Sequence, residues 1–107
     1  MWKIRYYSEA VREEIFSLPV RTFAKYEQII ERLEQYGPGI QRMPHMRQLE
    51  GELWEIRAIA GNGSARVFYC MVRDDTFLML HSFLKKTDKT PAKELDKAKR
   101  RMKEALR

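Results

Sequence analysis

The sequence is short of the residues that staple small folds. Cys70 is its only cysteine, so no disulfide closes within the chain. Its place in the apolar run 67–72 marks a buried small thiol rather than a nucleophile. Two histidines, without cysteines or carboxylates at ligand spacing, disfavour a metal site, and no cofactor is expected. Apolar runs fall far below membrane-spanning length. The opening segment Trp2–Tyr7 alternates with Lys3 and Arg5 rather than forming a signal-peptide core, so a cytoplasmic chain with no membrane partner is expected. Asn62-Gly63-Ser64 fits the glycosylation pattern, but without a secretory segment it reads as a turn. No internal repeat or low-complexity stretch supports a solenoid or a tethered multidomain chain.

What is present is a compact, basic chain. Its 107 residues, 44% of them hydrophobic, suit one domain over 1–107 with a core that needs no staple. Lys plus Arg number 21 against 15 Asp plus Glu, and the net charge of +6 favours polyanions without distinguishing RNA, DNA or acidic protein.

Trp2–Tyr7 reads as a strand. Ser8 is placed to cap a helix whose Val11, Ile15 and Leu18 recur at helical spacing. Pro19 interrupts or restarts the helix, and Phe23, Tyr26, Ile30 and Leu33 mark a second helix stopped by Gly37-Pro38-Gly39. After a loop holding Pro44, His45 and Arg47, strands are expected at 53–59, 64–72 and 76–83. Thr90-Pro91 opens a last, basic helix with Leu95, Ala98 and Met102 on its packing stripe. The expectation is an α+β fold, a small mixed β-sheet of three or four strands with two N-terminal helices and a C-terminal helix.

The most informative pattern is Leu53-Trp54-Glu55-Ile56-Arg57, a Gly61-Asn62-Gly63 break, Arg66-Val67-Phe68-Tyr69, and His81-Ser82-Phe83-Leu84-Lys85-Lys86. It sets cations at the edges of short apolar strands, where they can hold phosphates on a rigid scaffold. Arg57 has the opposite parity from Trp54 and Ile56, which separates a functional face from a packing face.

These segments, with Thr87 and Thr90-Pro91 closing the set, resemble the RelE/HigB superfamily of toxins from type II toxin–antitoxin modules, and within it the phage-derived branch. The resemblance runs over most of the chain. It implies a twisted sheet of the microbial-RNase type and metal-independent, ribosome-dependent cleavage of mRNA. Contact with ribosomal RNA, a cognate antitoxin, and operator DNA reached only through the antitoxin complex are implied with it. Where many relatives carry an aromatic residue or histidine near the C terminus, this chain has a basic helix with neither.

On this reading Arg57 and Arg66 match cationic positions of the superfamily and grip the scissile phosphate with forked donors. Lys85 and Lys86 assist electrostatically from the strand exit. His81 is a proton-transfer candidate, or a hydrogen-bonded core histidine sharing strand parity with Phe77, Met79 and Phe83. His45 and Arg47 reach for RNA from their loop. Tyr69 either stacks on a base or packs with Val67 and Met71. Arg57 paired with Glu55 or Glu52 would be ordinary surface charge. The same basic surface also fits a noncatalytic RNA-binding or translation-regulatory module, or a domain that recognises an acidic protein.

Overall fold

The structure is a computed structural model that describes residues 1–61, 63–86 and 89–107. Asn62 of the expected turn and Thr87 of the strand-exit motif lie outside the described residues. The elements are β1 (Lys3–Tyr6), α1 (Glu9–Phe16), α2 (Val20–Tyr36), a 3-10 turn (Gly37–Arg42), β2 (Met46–Glu50), β3 (Leu53–Ala60), β4 (Gly63–Val72), β5 (Thr76–Leu84) and α3 (Ala92–Ala105). They form the α+β arrangement expected from the sequence. The sheet has five strands in the order β1-β5-β4-β3-β2. It is mixed, because β1 runs parallel to β5 while the other neighbours are antiparallel.

The segment expected to be a loop around Arg47 contains an edge strand instead. Only Met46 in β2 is fully buried, so the strand carries little of the alternation that makes strands recognisable. Its pairing with β3, Arg47 opposite Glu55, defines it.

One sheet face is covered by α1 and α2. Ser8 caps α1 as expected, its hydroxyl accepting from the Val11 N–H at 3.2 Å. The α2 stripe of Tyr26, Ile29, Ile30 and Leu33 packs over Ile56, Val67, Tyr69, Phe77 and Met79. Burying each large aliphatic side chain contributes about 1.5–3 kcal/mol. Gly37 ends α2 at φ 67°, where a Cβ would run into the Trp2 ring, so glycine is required twice over.

α3 covers part of the opposite face. Leu95, Ala98 and Met102 pack on Leu53, Phe68, Cys70 and Leu80. Pro91, rather than Thr90, is the N-cap residue, and no side-chain cap bond forms. Arg101 pins the helix down: its guanidinium donates to the Leu80 carbonyl at 2.7 Å and lies 5.0 Å from the Tyr7 ring centre. The Tyr7 hydroxyl donates to Glu104 at 2.8 Å.

That Leu80 carbonyl belongs to a β-bulge. Phe68 pairs with His81 while its neighbour Tyr69 pairs with Met79, leaving Leu80 as the extra residue of β5. The bulge reverses side-chain parity beyond it. Phe77 and Met79 therefore face the helical hairpin, whereas His81 and Phe83 turn to the α3 face, correcting the parity expected from alternation alone. Among the described residues, no helix is long and apolar enough to cross a membrane.

Candidate active site

The β3–β4 register brings the two strand arginines together. Arg57 lies directly opposite Arg66, and Glu55 opposite Phe68. Directly opposed side chains on one sheet face have Cβ atoms roughly 5 Å apart, and like charges in that relation are destabilising. Arg57 is half-buried and Arg66 is 4% exposed. Burial, together with the Arg57 charge, lowers the Arg66 pKa, while Glu55 opposes that shift.

Glu55 is the compensating carboxylate, and its partner is Arg66 rather than Arg57. Its Oε1 lies 3.8 Å from Arg66 Nε, and both side chains are almost wholly buried. The other end of the Arg66 guanidinium donates to Ser64 Oγ at 2.7 Å and the Ala65 carbonyl at 3.2 Å. Arg66 Nε has no hydrogen-bond partner. Because Arg66 is held this way, its truncation leaves Glu55 buried and unpaired. Arg66→Ala is therefore a destabilising change.

His81 shares this face, stacked beside Phe83 and packed on Phe68. Its Nε2 lies 3.0 Å from Glu94 Oε1, a contact made possible where the first turn of α3 crosses β5. The other ring nitrogen, Nδ1, is buried without a partner. The Nε2–Glu94 contact fixes the orientation of the ring and leaves Nδ1 as the nitrogen not engaged by a partner. Arg47 is exposed on β2 opposite Glu55, extending the same face to the sheet edge.

The remaining residues are placed differently. The His45 carbonyl accepts from the Arg57 N–H at 2.8 Å. Burial, then the charges of Lys25, Arg32 and Arg57, lower the His45 pKa. Lys85 donates its backbone N–H to the Ser64 carbonyl at 2.6 Å. Lys85 and Lys86 line a groove of about 500 Å³ at the end of the sheet, which neither Arg57, Arg66 nor His81 lines. Tyr69 stands apart altogether. It is fully buried beneath the helical hairpin, and its hydroxyl accepts from Gln41 at 3.0 Å, so no ring face is open for stacking.

Two residues of this arrangement were not read as functional from the sequence, Glu94 and the compensating Glu55. Glu55 carried a signal, since its parity matches Arg57, but Glu94 is joined to His81 only by the docking of α3. Among the described residues, no cluster of three or more histidine, cysteine or carboxylate groups could hold a metal ion.

Comparison with solved structures gives the class of fold. The chain superposes on a protein in the crystal structure of the archaeal RelE–RelB complex from Pyrococcus horikoshii OT3, with a TM-score of 0.56 and 22% identity over 78% of this chain and 93% of that one. The fold is thus RelE-like. Residues 13–103 match the family described as phage derived protein Gp49-like (DUF891), and the chain belongs to that family. Comparison with curated proteins gives no match.

Proposed function

We propose that this chain is a toxin that cuts mRNA on the translating ribosome and is neutralised by a cognate antitoxin. The carrying observation is the opposed Arg57–Arg66 pair, whose repulsion a single buried carboxylate moderates and an incoming phosphate would relieve. The RelE-like fold and the net charge of +6 support the same reading.

In this scheme the 2′-hydroxyl of the message attacks the adjacent phosphorus and the bond to the 5′-oxygen breaks. The products are a 2′,3′-cyclic phosphate and a 5′-hydroxyl end, the departing 5′-oxygen taking its proton from water. Arg57, the more accessible guanidinium, holds a nonbridging oxygen, and the more buried Arg66 beside it adds positive potential where charge develops. His81, its ring fixed by Glu94, takes the 2′ proton once docking on the ribosome uncovers its Nδ1, which is buried in the free chain. Arg47 and His45 contribute phosphate contacts along the sheet edge, and Lys85 and Lys86 do so at the strand exit. Ribosomal RNA aligns the message, which supplies much of the rate by orientation. The antitoxin blocks this face, and operator DNA is met only by the toxin–antitoxin complex.

The test is to map mRNA 5′ ends in a translating extract with the wild-type protein, Arg57→Ala and Arg66→Lys. New 5′-hydroxyl ends restricted to translated messages are expected. Loss of one transition-state donor in Arg57→Ala should reduce them about 10²-fold or more. Ribosome binding without new ends from the wild-type protein would favour a noncatalytic RNA-binding module instead.

A further inference from the structure

The C-terminal half of α3 and the β2–β3 hairpin leave between them a groove of about 580 Å³ that the cleavage scheme does not use. Lys99, Met102, Lys103 and Leu106 line it from the helix at spacings of three and four residues, so they share one flank of α3, with Arg100 and Arg107 beside them. Glu50 and Gly51 form the opposite wall. The packing stripe of the helix, Leu95, Ala98 and Met102, is spent on the sheet. One turn beyond Met102, Leu106 is left 39% exposed.

The rim of the groove is cationic and poorly balanced. Glu50 is the one carboxylate among the described lining residues, and Lys99 already holds it at 2.6 Å across the groove. Arg100 and Lys103 are exposed and enter no ion pair among the described residues. A second copy of this chain, at a net charge of +6, would bring like charge to that rim. Single-stranded RNA would meet the cations, but no aromatic side chain lines the groove for its bases to stack on. A helix with aliphatic side chains along one face and carboxylates beside them matches both the Met102–Leu106 floor and the rim.

We propose that this groove docks an acidic, amphipathic helix of a partner protein, which is the antitoxin if the function proposed above is correct. Its position gives the docking a consequence. Arg47 and Glu50 pair with Glu55 and Leu53, residues of one parity on β3, so both stand on the arginine side of the sheet. Three residues of strand span roughly 10 Å, which is about the width of a helix. A helix seated beside Glu50 therefore lies against the approach to Arg47 and the arginine pair, where the message would have to enter.

The test is an amide-shift titration of the full chain with a synthetic peptide of about 15 residues, carrying leucine at helical spacing and glutamate on the flanks. A scrambled peptide of the same composition and a short single-stranded RNA are the comparisons. Saturable shifts at Gly51, Lys99, Arg100, Lys103 and Leu106 are expected from the amphipathic order alone. Leu106→Ser, at an exposed position outside the core, should weaken the peptide about tenfold. Lys103→Gln should reduce the salt dependence of binding. Glu50→Gln acts in the opposite direction, because it frees Lys99 and removes the carboxylate, and should tighten the peptide by up to about fivefold. Equal shifts from the scrambled peptide or from RNA, or wild-type affinity in Leu106→Ser, would overturn the groove as a helix site. Coexpression with the acidic protein encoded beside this chain tests the partner, and the same amides should shift in the complex. A complex that leaves them unmoved would overturn the assignment of this groove to the antitoxin, whereas failure of any complex to form would refute the antitoxin reading itself.

Discussion

Replacing Glu55 tests whether the site is held together by its buried ion pair. Glu55 Oε1 and Arg66 Nε are 3.8 Å apart, with side-chain exposures of 3% and 5%. At an effective dielectric constant of about 20, charges at that separation attract by about 4 kcal/mol. Desolvation of both groups offsets much of this in the intact pair. In Glu55→Gln the compensation is gone, but Arg66 remains buried and still faces Arg57. The expected loss is about 3–5 kcal/mol, the cost of leaving a buried charge unpaired. Against a total of about 5–15 kcal/mol this is a large fraction, and it corresponds to a fall in Tm of about 12 °C or more. Urea unfolding followed by the fluorescence of Trp2 and Trp54, both half-buried, would measure it. The double variant Glu55→Leu with Arg66→Met should recover most of the loss, because it removes both charges while retaining volume. Arg57→Ala introduced into the Glu55→Gln protein should also restore part of it by removing the facing charge. A Glu55→Gln protein within about 0.5 kcal/mol of wild type, a value typical of surface changes, would refute this account of the pair.

Other groups give independent checks. Glu94→Gln should lower mRNA cleavage about tenfold or more by loosening His81, with a changed pH profile and a stability change near 1 kcal/mol; an unchanged profile would remove Glu94 from the chemistry. His45 titrates in the folded protein below its ordinary 6.5, so its contribution to stability is present above that pH and is lost as pH falls through the lowered value. His45→Gln should flatten that acid-side loss, and an identical pH dependence of the urea midpoint would count against it. Burial pushes the Cys70 thiol up to about 11, with Glu52 adding to the shift, so its contribution is complete below about pH 9 and is lost as pH rises toward 11. At pH 8 the native thiol should react with a disulfide reagent far more slowly than the unfolded chain, and immediate labelling would contradict its burial.

The legible parts of this molecule are those fixed by local alternation and capping. Ser8 and the 11–15 spacing announce α1, and the parity of Trp54 and Ile56 against Arg57 separates the two faces of β3, because neither needs information from distant residues. β2 was missed because an edge strand with one fully buried side chain has little pattern to offer, and only its register with β3 places Arg47 opposite Glu55. His81 shows a different limit. Alternation sets it with Phe77 and Met79 under the helices, but the Leu80 bulge turns it over, and the carbonyl exposed by the extra residue is satisfied by Arg101, twenty-one positions away. The same docking of α3 brings Glu94 to the imidazole. The site is therefore built where a break in strand periodicity and a distant helix act together: the bulge selects the face, α3 holds the bulge and supplies the carboxylate, and the opposed arginines supply the charge. Loss of the Arg101 contact should accordingly disturb His81 more than it disturbs Arg57, since only His81 depends on the bulge for its side of the sheet.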